Sequence, residues 1–242
     1  MMKKNKEKKV TKNRVRITTG IQNLDPLIQG GFLKGHITLL VGSAGSGKTL
    51  FALQFLMEGL KKGESCLYLT FEEKKERLYD DVSEFGWNFK SYEEKKKFFF
   101  LEYSPEQVKS LLEEGGGTVD QIVTKKKISR IVIDSITSFS LLYQDELVRK
   151  EAGLALFELI SKWNCTAVMT SQATTRKEEL FASSLEFEAD NIIYLYHFKV
   201  KGERIRALEI LKMRGTVHTN KTIALDIAKN GLVLKPKEKI KK

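Results

Sequence analysis

A chain of 242 residues, 41% hydrophobic and 30% charged, has the length of one large domain with a sizeable core, or of one domain with arms. It has no run near the ~18 apolar residues of a membrane span and no apolar segment behind its basic start to make a secretory signal, and its two cysteines, Cys66 and Cys165, exclude a disulfide framework and fit a reducing cytoplasm. The net charge of +11 lies at the ends: residues 1–16 carry eight Lys and Arg against one Glu, residues 233–242 five Lys against one Glu, and residues 17–232 are formally neutral.

Residues 1–16 therefore read as a basic N-terminal arm and 235–242 as a basic tail, with one domain over 17–234. Such tails either hold nucleic acid or acidic lipid or stay solvated; neither interleaves the aromatics of a stacking surface. Within the domain, the apolar run His36–Val41 predicts a buried strand and Lys48–Lys62 the helix after it. Ser65–Phe71 is a second strand, and Lys74–Phe85 a helix with Leu78, Val82 and Phe85 on one face. Lys97–Tyr103 is a third strand. Pro105 opens a helix that Gly115–Gly117 should break or end. Arg130–Asp134 is a fourth strand, Asp145–Trp163 a long helix and Cys165–Thr170 a fifth strand. This alternation predicts an α/β fold with a mostly parallel sheet flanked by helices. After Asp190 the pattern changes to strand-like runs, with Lys201-Gly202 as a tight turn, so antiparallel strands are expected at the C-terminal side.

The segment Gly42-Ser43-Ala44-Gly45-Ser46-Gly47-Lys48-Thr49 matches G-x-x-x-x-G-K-[ST] between a strand and a helix. Its glycines let backbone N–H groups turn inward onto phosphates, Lys48 reaches the β/γ-phosphates, and Thr49 offers a hydroxyl to Mg2+. Ile131-Val132-Ile133-Asp134 has the form of a Walker B strand, which puts Asp134 in place to hold Mg2+. Glu72-Glu73 follows the second strand, at the end where open α/β sheets bind ligands. A glutamate there can take a proton from an attacking water, or the pair can be a solvated turn; the residues alone do not choose. His36, His197 and His218 show no zinc-ligand spacing.

Together these segments resemble the KaiC-like branch of the RecA superfamily of P-loop ATPases, whose recombinase cousins are RecA and RadA. The resemblance runs from about Ile17 to Leu234 and rests on GIQNLDPLIQGGFLKGHITLLVGSAGSGKTLFALQFL, LTFEEKKERL, EFGWNF, IVIDSITS, AVMTSQ, ADNIIYL and LEILKMRGTVH. Archaeal single-domain members are the most alike. The resemblance implies a RecA-type core with an extra strand between the P-loop and Walker B strands. It also implies ATP with Mg2+ as cofactors, Glu72 as the catalytic base with Glu73 beside it, and a ring, usually a hexamer, with nucleotide between subunits. Lys212, Arg214 and His218 would then act in trans on a neighbour's nucleotide. As plain strand residues, Lys212 and Arg214 would instead share a solvated face, with Leu211 and Met213 packed inward.

Clock-type autokinase activity is not implied: Thr174-Thr175 and Ser183-Ser184 match no phosphosite of the family, and one such domain stands where KaiC has two. Three functions compete: a regulatory oligomeric Mg2+-ATPase acting on an unidentified protein partner, a recombinase paralogue that binds DNA, and a nucleotide-gated scaffold with negligible turnover. The loop 171–188, in the position of a recombinase DNA loop, sets Arg176 and Lys177 against four glutamates, a poor track for phosphates.

Overall fold

The computed structural model describes residues 14–140, 142–172, 185–238 and 240. In chain order the strands are β1 (Arg16–Ile17), β2 (Phe32–Leu33), β3 (Ile37–Gly42), β4 (Ser65–Thr70), β5 (Phe98–Glu102), β6 (Ile128–Asp134), β7 (Thr166–Gln172), β8 (Asn191–Val200), β9 (Glu203–Met213), β10 (Ile223–Ala228) and β11 (Gly231–Lys235). The helices are α1 (Lys48–Lys61), α2 (Lys75–Ser83), α3 (Phe89–Glu94), α4 (Pro105–Glu113), α5 (Gly117–Lys126), α6 (Ile136–Ser140) and α7 (Glu146–Trp163).

Nine strands form one sheet in the order β11-β10-β9-β8-β3-β7-β6-β4-β5. Strands β3 to β8 run parallel, and β9, β10 and β11 add on antiparallel. The central strands are buried on both faces, which is why β3 and β6 read as apolar runs rather than as alternating ones. One face carries α1, α2 and α3 through Phe51, Phe55, Leu78 and Phe89; the other carries α4, α5 and α7 through Val108, Val123, Phe157 and Ile160. The expected turn at Lys201-Gly202 has both residues at positive φ (49° and 93°), as a tight hairpin requires.

The glycine run ends α4 as expected, and Gly116, at φ 109°, is the residue from which α5 begins. Two expectations need correction. Leu211 does not pack inward. Ile192 pairs with Lys212 and Ile193 with Ile210, so Leu211 is the extra residue of a β-bulge and is 52% exposed, while Met213 is buried as expected. Arg16, assigned to the arm, instead belongs to the folded body: it pairs in β1 and its Nη1 donates to the carbonyls of Ile28 and Gly31. Residues 1–13 and the 173–184 segment, with Thr174, Thr175, Arg176, Lys177, Ser183 and Ser184, lie outside the described residues.

The side chain of Arg130, on β6, is buried to 1% exposure. Its Nε and Nη2 each lie 2.8 Å from the Glu64 carboxylate, and its Nη1 donates to the carbonyls of Thr18 and Phe55 at 2.8 Å. The guanidinium also sits 4.7 Å from the centre of the Phe55 ring. Gly59 makes room for it, because a methyl group there would collide with Nε. Burial raises the Glu64 pKa, but the hydrogen bonds and charge of Arg130 outweigh it and leave the carboxyl below its ordinary value of 4.5. Stability from this pair is therefore complete above that value and is lost as pH falls through the depressed one. Arg130→Met should cost about 3 kcal/mol in urea unfolding at neutral pH, and its stability should fall less steeply in acid than that of the wild type. An unchanged acid limb in the variant would show that the pair does not couple folding to pH.

Candidate active site at the carboxyl edge of the sheet

The P-loop leaves β3 at the edge where the parallel strands end. Gly45 and Gly47 take φ of 73° and 102°, where a side chain is strained, and Gly47 starts α1. At Gly42 the constraint is space: a Cβ there would lie 2.5 Å from the Leu195 carbonyl of β8 and 2.6 Å from Ser46 Oγ. Lys48 Nζ folds back to donate to the Gly42 and Ser43 carbonyls at 2.8 and 3.0 Å. The Ser46 hydroxyl is buried within the loop without a hydrogen-bond partner. A buried, orphaned hydroxyl in a glycine-rich loop at a helix N-terminus suits a phosphate. The Thr49 hydroxyl and the Asp134 carboxylate supply the hard oxygens that suit magnesium.

Asp134 ends β6 and is held from both sides. Tyr68, on β4, donates its hydroxyl to Oδ2 at 2.9 Å, and Thr170, on β7, donates to Oδ1. The Tyr68 pKa is pushed well up by burial and then by the Asp134 charge, so its proton stays on the phenol as the donor. Glu72 and Glu73 leave β4 at the same edge, their backbone N–H groups both bonded to the buried Thr70 hydroxyl at 3.2 and 3.1 Å. Glu72 Oε1 accepts from Ser135 Oγ at 3.3 Å, which ties it to the residue after Asp134. Glu73 is half-buried, and burial followed by the charge of Asp134 raises its pKa. The P-loop, Asp134, Glu72 and Glu73 therefore share one edge.

Lys212, Arg214 and His218 do not share it. Met213 pairs with Asn191, and Asn191 with Thr38, near the start of β3; the P-loop end of β3, Gly42, pairs with Leu195, and Leu195 with Leu208. Four residues of strand, roughly 13 Å, separate these levels. In its own chain, Lys212 Nζ donates to the carbonyls of Glu186 and Ala189 at 2.9 and 2.8 Å. Arg214 Nη2 donates to Phe187 O at 2.7 Å, and its Nη1 lies 3.6 Å from Asp190. His218 Nδ1 lies 2.9 Å from Thr219 O. Burial, then the charge of Arg214, lowers the Lys212 pKa.

Residues 17–239 match the family model described as "ATPase: KaiC". The chain belongs to the KaiC family of ATPases. It is 35% identical over 234 residues to the circadian clock protein KaiC3 of a Synechocystis species, covering 91% of this chain but 46% of that protein. With a UPF0273 protein of Pyrococcus horikoshii it shares 30% identity over 240 residues, 94% of this chain and 96% of the relative. In structure it is similar to a KaiC-like protein of Pyrococcus horikoshii, with TM-score 0.82, 32% identity, and coverage of 92% of this chain and 100% of that one. The chain thus spans about half the length of its clock-protein relative and nearly all of its archaeal ones. The RecA-type order is present: β7 is the extra strand between β3, which leads into the P-loop, and β6, which ends in Asp134.

Several residues of this KaiC-family site are not evident in the sequence. Tyr68, Thr70 and Thr170 read as the interiors of β-strands. Gln172, which ends β7 opposite Gly42 and whose backbone N–H donates to the Thr137 hydroxyl at 2.7 Å, is signalled only by the polar end of AVMTSQ. His197 and Arg206, paired across β8 and β9, reach the loop from the side: Nδ1 of His197 lies 3.4 Å from Ala44 O, and Nε of Arg206 donates to Gly45 O at 2.8 Å. Among the described residues no helix is long and apolar enough to cross a membrane. Gly42→Ala should lower stability by about 1–3 kcal/mol, because the atom it meets is strand backbone that cannot turn aside. Calorimetric melting checks this, and an unchanged midpoint would mean that β3 and β8 separate freely at the loop.

Proposed function

We propose that this chain binds ATP with Mg2+ at Gly42–Thr49, hydrolyses it, and works as a ring, usually a hexamer, in which each site is completed by the neighbouring copy. One observation carries the reading: the groups suited to hold and attack a triphosphate lie at the carboxyl edge, while the cations expected to finish the site lie near the amino edge of the same chain. A second copy can bring the two edges together; the chain alone cannot. In this reading the P-loop amides and Lys48 hold the phosphates, and Thr49 and Asp134 hold the metal. Bound with the nucleotide, magnesium neutralises charge on the phosphate oxygens. Glu72, steadied by Ser135, takes the proton of the attacking water, and the negative surroundings of Glu73 keep that edge basic. The carbonyls around Lys212 and Arg214 fix both side chains before a neighbour docks. The nucleotide state would then control ring shape and the capture of a protein partner, a regulatory role.

Mixing tests the shared site. Arg214→Ala should slow hydrolysis by about 10³-fold or more with nucleotide binding largely kept, and Glu72→Gln by about 10²–10⁴-fold. Each is nearly inactive alone, but a mixed ring contains interfaces with an intact Glu72 on one side and an intact Arg214 on the other. Turnover should return on mixing. If mixed oligomers form and no ratio restores it, Arg214 acts within its own subunit or only braces the 186–190 turn.

Tyr68→Phe tests the metal site separately. The ring and its stacking on Phe100 remain, and only the donor to Asp134 is removed. Affinity for Mn2+ as a paramagnetic probe in the nucleotide complex should fall about 10–100-fold, while binding of metal-free nucleotide is unchanged. Equal metal affinity in the variant would remove Tyr68, and weaken Asp134, as parts of the metal site.

A further inference from the structure

The neutral sum over residues 17–232 conceals a separation of charge. Strands β6, β4 and β5 lie side by side and run parallel, so the segments that feed them meet at the amino edge, away from the P-loop. Each segment ends in lysines: Lys125-Lys126-Lys127 before β6, Lys61-Lys62 before β4, and Lys95-Lys96-Lys97 before β5. The three turns are tied together. Cys66 N donates to Lys97 O at 2.8 Å, Lys97 Nζ donates to Gly63 O at 3.0 Å, and Ser65 pairs with Ile128. All eight lysines are exposed. Neighbouring strands are about 4.8 Å apart, so the lysines form a compact row on a rigid sheet rather than charges scattered along a chain.

Little acid offsets this row. Glu64 is held by Arg130, Glu93 by Lys75 and Tyr79, and Glu58 pairs with Lys62; Glu94 remains. Among the described residues Lys61, Lys95, Lys96, Lys125, Lys126 and Lys127 form no ion pair. Helix dipoles account for Lys61, Lys125 and Lys126, which lie in the last turns of α1 and α5. Lys95 and Lys127 are the C-cap residues of α3 and α5 and share that effect, while Lys96 and Lys97 lie beyond it. The N-terminal basic tail joins the same edge. Residues 1–13, with six Lys against one Glu, attach at Arg14, beside the Val15 carbonyl that bonds Lys34 N at 2.9 Å just ahead of β3. The chain leaves β11 at Lys235, which pairs through Ala224 and Ala207 with Tyr196, beside the level of Gly42, so the C-terminal lysines depart from the other edge.

We infer that the amino edge of β6-β4-β5 is a binding face for the phosphate backbone of nucleic acid, without base readout. Lysines are point charges suited to phosphate, and a row of them neutralises a polyanion by releasing its counterions. An acidic membrane is the other polyanion this face could meet. Among the described residues none of the exposed large apolar side chains lies in the three lysine turns, so the row itself presents charge without an apolar wedge. This face is at the end opposite the loop that follows β7, and it does not depend on the ATPase reading.

The test uses the full chain and a short fluorescein-labelled DNA duplex of arbitrary sequence, titrated by anisotropy at several salt concentrations. Lys→Gln at positions 61, 95, 96, 125, 126 and 127 should weaken binding by about ten-fold or more at fixed salt. The salt slope should fall by about 0.9 for each phosphate that the variant no longer neutralises. A matched control replaces Lys109, Lys150, Lys199, Lys201, Lys221 and Lys229, exposed lysines away from this row, and should bind like the wild type. Circular dichroism and ATP turnover confirm that both variants are folded. The inference is overturned by absence of salt-dependent DNA binding in the wild type, by unchanged affinity in the first variant (binding by the tails alone), or by equal losses in both variants (net charge alone). Binding to phosphatidylserine vesicles without binding to DNA also overturns it.

Discussion

A parallel strand is entered at one edge of its sheet and left at the other, and six neighbouring strands of this chain obey that constraint together. Every turn that leaves them projects to the same side, which is why the P-loop, Glu72-Glu73, Asp134 and Gln172 meet although they are far apart in sequence. The insertion of β7 between β3 and β6 then fixes their spacing. It gives Asp134 a polar neighbour on each flanking strand, Tyr68 on β4 and Thr170 on β7, so both carboxylate oxygens are oriented by groups that cannot move without the sheet. The antiparallel β9 reverses direction, and this alone carries Lys212 and Arg214 to the far end. The separation of Lys212 and Arg214 from the P-loop edge is a consequence of topology before it is a matter of chemistry.

Arg130 holds the amino edge as Asp134 organises the other, and the two residues are on the same strand. One guanidinium joins the N-terminal segment at Thr18, α1 at Phe55 and the start of β4 at Glu64. Its charge is buried, but each contact is a hydrogen bond to a carbonyl or carboxylate, so the cost of desolvation is offset. The P-loop helix is therefore tied to the sheet near its C-terminal end, and its N-terminal end is left to the loop. Gly59, in that helix, has no side chain because the guanidinium occupies the space.

The parts of the site that were legible in the sequence are those where chemistry follows a buried strand: Gly42–Thr49, Glu72-Glu73 and Asp134 each interrupt an apolar run with residues that such a run has no reason to carry. Tyr68, Thr70 and Thr170 were not legible, because a β-branched or aromatic residue inside a strand fits packing as well as it fits hydrogen bonding. His197 and Arg206 come to the loop only through the β8–β9 register, which local pattern does not give. The bulge at Leu211 escaped for a related reason: alternation predicts the face of each residue only while the register is unbroken. The lysine row was hidden in another way. Its three segments are distant in sequence, and a charge sum over the whole body cancels them against acids placed elsewhere.

The C-terminal strands, which could pass for an ornament on the parallel sheet, close the nucleotide loop from behind. Leu232 of β11 rests against Gly47, where α1 begins, and the buried Gln54 of α1 accepts from Leu232 N at 2.6 Å and donates to Gly20 O at 2.7 Å. Gly231 has no side chain because Gln54 and Trp87 fill that space. A displacement of the P-loop helix along its axis would strain these bonds first, and they lead to β11, whose end carries the basic tail, and to the N-terminal segment beside the arm. If nucleotide binding shifts α1 at all, the groups that register the shift are those through which both tails are attached. These contacts tie the phosphate loop and α1 to β11 and to the N-terminal segment, and they are short and buried enough to transmit a displacement rather than absorb it.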